Sequence, residues 1–166
     1  KEKPVEPFSG SWPLYFFKRN WNNQWTDLEG KLVSFKIRNP QRIDFFGEEL
    51  EAVQNTQANL TDEQRTIAKY YSFGPPTKQW TPIIDRLIDT YNVSPTRAAR
   101  ILGATQAAMN DAIVITWQLK YLLDVARPNQ LDANIETVVP TPHFPAYPSG
   151  HATVSGCAEV VLSYFF

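Results

Sequence analysis

The segment SPTRAARILGATQAAMNDAIVITWQLKYLLDVA, residues 94–126, decides the fold class of this chain. Ser94-Pro95 is a helix start signal, because serine caps helix N-termini and proline suits the first helical position. About thirty residues then follow with no further proline and one glycine, Gly103. Alanines and aliphatic side chains occupy almost every face, which indicates a helix surrounded by other helices. Pro128 predicts that this helix ends near Arg127, because the residue before a proline resists helical angles.

Signals on both sides of this segment predict further helices. Thr61 and Gln64 form a capping-box pattern, and the helix that follows is expected to stop at Gly74. Thr81-Pro82 predicts the start of another helix, and a last one is expected from Ser149 to the chain end. In KLVSFKIRN, residues 31–39, apolar residues alternate as in a short strand. The sequence therefore predicts an all-α helical bundle with a small β element near the N-terminus.

Composition restricts the function classes. The 166 residues suit one domain, and a net charge of -1 gives no field that would favour nucleic acid or a membrane surface. No apolar run reaches the length of a membrane span. The single cysteine, Cys157, excludes an internal disulfide and a cysteine-based zinc cluster. The polar, proline-rich opening KEKPVEPFSGSW favours an extracytoplasmic or secreted location, and a homo-oligomer is compatible with this composition.

Two cations in the long apolar helix are the first candidates for chemistry. Lys120 and Arg127 lie seven residues apart, close to two helical turns, so the pattern places both on the same face. Because burying an unpaired charge is costly, they need a negative partner. Asp124, four residues after Lys120 and three before Arg127, could pair with one of them. The alternative is that both cations bind an anion.

The second candidate is Ser149-Gly150-His151, at the expected start of the last helix. A helix N-terminus offers unpaired backbone N–H groups and a partial positive charge, and glycine lets a ligand approach the backbone. Serine can donate a hydrogen bond, and histidine can hand over a proton near neutral pH. Such a group suits a tetrahedral oxyanion. The alternative is a serine N-cap with an incidental histidine.

The two candidates together resemble the first two signature motifs of one superfamily. The motifs are Lys120-x6-Arg127-Pro128 and Pro148-Ser149-Gly150-His151. The superfamily contains the type 2 phosphatidic acid phosphatases, the bacterial non-specific acid phosphatases and the vanadium-dependent haloperoxidases. The segments 68–83, 94–121 and 144–166 are similar to bacterial haloperoxidase-like proteins, so about residues 60–166 carry the likeness.

This resemblance implies a helical bundle of the vanadium haloperoxidase and acid phosphatase type. Residues 1–60 would be an irregular N-terminal extension, and 61–166 would be the first part of the catalytic domain. Lys120, Arg127, the Ser149 hydroxyl and the Gly150 N–H would bind the oxygens of phosphate or vanadate, and His151 would be the catalytic acid or base. The cofactor would be vanadate in a haloperoxidase, with none in a phosphatase.

The family has a third motif, an arginine and then a histidine that ligates vanadate, and this histidine is expected beyond Phe166. His143 lies before the second motif in a proline-rich loop and is not a candidate for that role. The expected partners are a small oxyanion or substrate and the C-terminal remainder of the same domain, as further sequence or as a separate chain. Three functions stay open: halide oxidation with hydrogen peroxide, phosphomonoester or pyrophosphate hydrolysis in the same pocket, and a non-catalytic helical binding module.

Overall fold

The computed structural model describes residues 3–40 and 43–166, with the side chains of its first helix described from Gly47 onward. The chain is mostly helical with a small two-stranded sheet near the N-terminus, so the predicted fold class is confirmed. The elements in chain order are β1 (Lys18–Arg19), β2 (Trp25–Thr26), α1 (Ile43–Ala58), α2 (Asp62–Ser72), α3 (Trp80–Thr90), α4 (Pro95–Leu123), α5 (Pro128–Leu131) and α6 (Gly150–Phe165). None of the described helices has the length and apolar character that a membrane-spanning helix requires.

The chain divides into two compact units. The first unit consists of the described residues of Lys1–Pro7, Lys36–Gly74 and Leu119–Pro148. The second unit consists of Phe8–Phe35, Pro75–Gln118 and Ser149–Phe166. The boundary proposed at residue 60 stays a prediction.

The apolar core of the second unit lies where α3, α4 and α6 pack together. One cluster joins Met109 and Ala112 of α4 to Val154 and Ala158 of α6. A second cluster contains Ile84 of α3, Ile101 of α4 and Leu162 of α6. Because α4 contributes small and aliphatic residues to both clusters, its apolar composition is explained by burial against neighbouring helices.

Most of the predicted helix starts agree with the structure. Thr61 caps α2, and its side chain and that of Gln64 form the reciprocal hydrogen bonds of a capping box. Pro95 is the first residue of α4, and Ser149 is the N-cap of α6, both as predicted. The prediction for α3 was wrong by two residues, because this helix begins at Trp80 rather than at Pro82. A proline is tolerated there because the N–H groups of the first helical turn have no intrahelical acceptor.

The predicted end of the long helix was wrong. The helix α4 ends at Leu123, and Asp124 adopts a left-handed conformation with φ 45°. Its N–H still donates to Lys120 O at 2.8 Å, as in a left-handed C-terminal cap. The Val125 carbonyl accepts from the Ala146 N–H at 2.9 Å, so its hydrogen-bond donor comes from a loop and not from a further helical turn. Arg127 therefore lies outside α4 and does not share a helical face with Lys120.

The β element lies earlier than predicted. The strands β1 and β2 pair antiparallel, with Lys18 opposite Thr26 and Arg19 opposite Trp25. The strand expected over residues 31–39 is absent from this described stretch, where Leu32 forms an isolated bridge to Thr26. Residues 1–60 were expected to be irregular, whereas α1 occupies Ile43–Ala58.

Candidate oxyanion-binding site

Lys120 is a buried cation in the last turn of α4, with 1% of its surface exposed. Its ammonium group donates hydrogen bonds to Pro145 O at 2.8 Å and to Ala146 O at 3.0 Å. Burial, and to a lesser extent the charge of Arg127, lowers the pKa of Lys120 from 10.5 to about 8. Lys120 therefore titrates much closer to neutral pH than an exposed lysine does.

Arg127 reaches the same loop from a different element. It is the N-cap of α5, with extended backbone angles, and its Nε donates to Phe144 O at 2.9 Å. The Phe144 ring lies 4.7 Å from Arg127 Cζ and 5.1 Å from Lys120 Nζ, both distances measured to the ring centroid. Both cations thus contact the face of one ring, a favourable arrangement for partly desolvated charge. Burial lowers the pKa of Arg127 as well.

Asp124 is not the counter-ion of this pair. The left-handed backbone at Asp124 follows the end of α4, and its side chain is exposed. It forms an ion pair with neither cation in the described part of the chain. Backbone carbonyl oxygens of residues 144–146 accept hydrogen bonds from both cations.

One donor of Arg127 is unused by the protein. Its Nη2 is buried and has no hydrogen-bond partner among the described residues. An unsatisfied buried guanidinium N–H is costly, and such a group in a folded protein calls for an explanation. An oxyanion oxygen would satisfy it, once a small shift of the surrounding atoms admits the acceptor.

The second motif lies at the start of α6, in the second unit. Ser149 Oγ accepts from Ala152 N at 3.2 Å, so the serine is the helix N-cap and its hydroxyl proton can still be donated. A Cβ on Gly150 would lie 3.3 Å from the Trp117 ring, so the glycine allows the ring to pack against the first helical turn. His151, in that turn, is exposed. Each predicted residue therefore lies at a helix N-terminus, the place expected from the sequence.

The structure thus brings Lys120 and Arg127 together with the 144–146 loop in the first unit. It places Ser149, Gly150 and His151 together at one helix start in the second unit. Sequence reasoning missed Phe144 and the loop carbonyls, because backbone acceptors leave no signature in residue type. The described residues hold no cluster of histidine, cysteine, aspartate or glutamate suited to a metal ion. The available ligand chemistry is that of N–H and O–H donors, which bind oxyanions.

Comparisons with known proteins support the fold. No family model matches the chain, and no curated protein matches it either. Among solved structures, the chain is similar to one described as the first bacterial vanadium-dependent iodoperoxidase, with a TM-score of 0.72 and 24% sequence identity. The match covers 99% of this chain and 43% of the iodoperoxidase, so the chain spans less than half the length of that protein. The chain has the helical fold of this part of a vanadium iodoperoxidase.

Proposed function

We propose that this chain is the oxyanion-binding part of a vanadium haloperoxidase-like enzyme, which oxidises halide with hydrogen peroxide. The observation that carries the proposal is the pair of cations, buried Lys120 and partly buried Arg127, which lie over one aromatic ring while the buried Nη2 of Arg127 has no hydrogen-bond partner among the described residues. The fold likeness to a bacterial iodoperoxidase supports it.

The residues present fit vanadate. The buried Arg127 Nη2 is a guanidinium donor that the protein does not use, and a doubly or singly charged oxyanion is a suitable acceptor for it. Lys120 adds a second desolvated charge, which attracts an anion more strongly than an exposed lysine would. When bound, vanadate supplies the activation of hydrogen peroxide toward the halide.

The other residues take roles that follow from their chemistry. Ser149 and the Gly150 N–H, at the start of α6, donate hydrogen bonds to the oxyanion. The overall reaction converts halide, hydrogen peroxide and one proton into hypohalous acid and water. We assign the handling of that proton to His151, because an imidazole can act as a general acid or base and this one is exposed.

The proposed enzyme includes more than this chain. A histidine that ligates vanadate is assigned to the C-terminal remainder of the domain, beyond Phe166, carried by the same polypeptide or by a separate chain. The partner proposed for residues 1–166 is therefore that remainder, together with the small oxyanion.

A phosphatase is the second candidate, and the same observation favours it. Phosphate is a tetrahedral oxyanion as vanadate is, so an unused guanidinium donor beside a buried lysine suits either. In that case His151 would protonate the leaving alkoxide and no cofactor would be needed.

The experiment uses the longest natural form of the protein that contains residues 1–166. Oxidation of iodide and bromide by hydrogen peroxide is measured with and without added vanadate, beside hydrolysis of p-nitrophenyl phosphate. Halide oxidation that depends on vanadate is the expected result. Phosphate-ester hydrolysis that vanadate only inhibits would refute the haloperoxidase proposal and support the phosphatase.

Direct anion binding tests the role of the cations. Arg127→Lys keeps a positive charge but lacks the guanidinium and its Nη2 donor, so vanadate affinity should fall about tenfold or more. Arg86→Ala removes an exposed cation of α3 and serves as the control, with affinity unchanged. If neither vanadate nor phosphate binds the wild type, the non-catalytic helical module is the better description.

A further inference from the structure

The first unit contains a groove that is lined mainly by residues outside the candidate oxyanion site. Its volume is about 500 Å³, and it lies between one side of α1 and the segment Ile135–Pro142. This size is within the range of clefts that hold small organic molecules. Arg127 forms part of its lining, so the groove reaches one of the two candidate oxyanion-binding cations.

The walls of the groove are mostly apolar. Val53 of α1, Leu60 and Val139 contribute aliphatic surface to it. Pro128, Pro140 and Pro142 also line it, and proline restricts the backbone of the segments that carry it. An apolar ring in this groove would therefore gain burial without ordering a flexible loop.

Arg127 is the group of the groove that an anion would contact. Arg127 is partly buried and is the cationic member of the described lining. Glu49 also lines the groove, but its carboxylate pairs with Arg38 at 2.6 Å. Glu136 is exposed, so water screens its charge more than the charge of Arg127.

We propose that this groove binds a small aromatic carboxylate, with the ring against the aliphatic wall and the carboxylate toward Arg127. The inference rests on the proposed function in one respect: in a haloperoxidase, this molecule is the organic acceptor, in which a ring C–H bond is replaced by a C–halogen bond while hypohalous acid is consumed and water is released. Binding itself requires neither vanadate nor peroxide, so it can be tested separately.

The first test compares two probes on the wild-type protein in its longest natural form. 4-Hydroxyphenylacetate carries the proposed ring and carboxylate, and 4-hydroxyphenylacetamide has the same ring without the charge. Affinity is measured by calorimetry or ligand-observed NMR. The carboxylate should bind about tenfold more tightly than the amide, because the uncharged amide cannot form the partly desolvated ion pair with Arg127. Equal affinity, or no binding of either probe at millimolar concentration, would overturn the proposal.

The second test fills the groove. Val53 is 38% exposed and lines the groove, so Val53→Trp places a large side chain in it at little risk to the core. Val160→Trp on α6 is the matched control, because Val160 is 70% exposed and lies outside the groove lining. Thermal melts establish that both variants fold. Val53→Trp should weaken binding of 4-hydroxyphenylacetate at least about tenfold while Val160→Trp leaves it unchanged. Equal affinity of the two variants for 4-hydroxyphenylacetate would mean that the probe binds outside the groove, and would refute the proposal.

The two proposals fail in distinguishable ways. Vanadate-dependent halide oxidation without carboxylate binding would remove the groove inference and leave the proposed function. Carboxylate binding that is sensitive to Val53→Trp, in a protein that oxidises no halide, would support the binding site and refute its role as an acceptor site.

Discussion

Replacing Lys120 by methionine should change how stability depends on pH. Methionine is also long and unbranched, but it carries no charge and does not titrate. In the folded protein, burial and the neighbouring Arg127 lower the pKa of Lys120 from 10.5 to about 8. Between those two pH values the unfolded chain holds a proton on this lysine and the folded chain does not. The free energy of unfolding of the wild type therefore rises with pH in this window.

The size of the effect follows from the same numbers. Below pH 8 both states are protonated, and the folded state carries the full cost of the buried charge. Raising the pH from about 8 to 10.5 relieves this cost, which at about 1.4 kcal/mol per pH unit amounts to about 3 kcal/mol. The methionine variant lacks this contribution, so the free energy of unfolding of the wild type minus that of the variant should increase by about 3 kcal/mol across the window.

The assay is denaturant unfolding of both proteins at several pH values from 7 to above 10. Taking the difference between them cancels the contributions that the two proteins share. Lys69→Met is the control, because Lys69 is an exposed residue of α2, and its difference from the wild type should stay constant with pH. A wild-type minus Lys120→Met difference that is equally flat would refute the reasoning and show that the Lys120 charge is not desolvated.

Three further contacts that position the fold are tested by substitution. Asp111 is 1% exposed and accepts two backbone N–H groups of the N-terminal segment at 2.8 and 2.7 Å, so Asp111→Ala should lower the free energy of unfolding by about 2–4 kcal/mol. Exposed Asp85→Ala is its control in the same urea melts. A Cβ on Gly10 would lie 2.6 Å from the backbone of α4, so Gly10→Ala should cost about 2 kcal/mol or more. Gly103→Ala, in the same unit with open space around it, should instead stabilise by about 0.5–1 kcal/mol, and calorimetric melts that show both glycines behaving alike would contradict this. Thr61→Ala removes the capping box of α2 and should cost about 1 kcal/mol, with hydrogen exchange of the first turn of α2 as the measurement.

Local signals in the sequence were sufficient for several features. The capping box at Thr61, the proline at the start of α4 and the serine at the start of α6 are all where the residue types indicate. Each of these depends on hydrogen bonds or backbone restrictions within a few residues, so no distant contact is needed to decide them. The sequence also identified Lys120 and Arg127 as neighbours, although for the wrong reason.

The end of α4 could not be read from sequence alone. Pro128 marks a helix boundary, but α4 already ends at Leu123, and a loop residue satisfies the carbonyl of Val125 just beyond that end. That donor, Ala146 N, lies far along the chain, and only tertiary folding brings it to Val125 O. The α1 helix was missed because residues 1–60 were interpreted as an irregular extension.

By itself, the sequence determined that the chain is helical, where α2, α4 and α6 begin and which polar residues stand out as candidates. Tertiary structure decided what surrounds those candidates. Lys120 and Arg127 meet through the loop carbonyls and the ring of Phe144, and the carboxylate four residues along the chain does not neutralise them. The physical reason is that capping is a short-range property of the chain. The solvation and counter-charge of a buried cation, by contrast, depend on segments that only folding brings together.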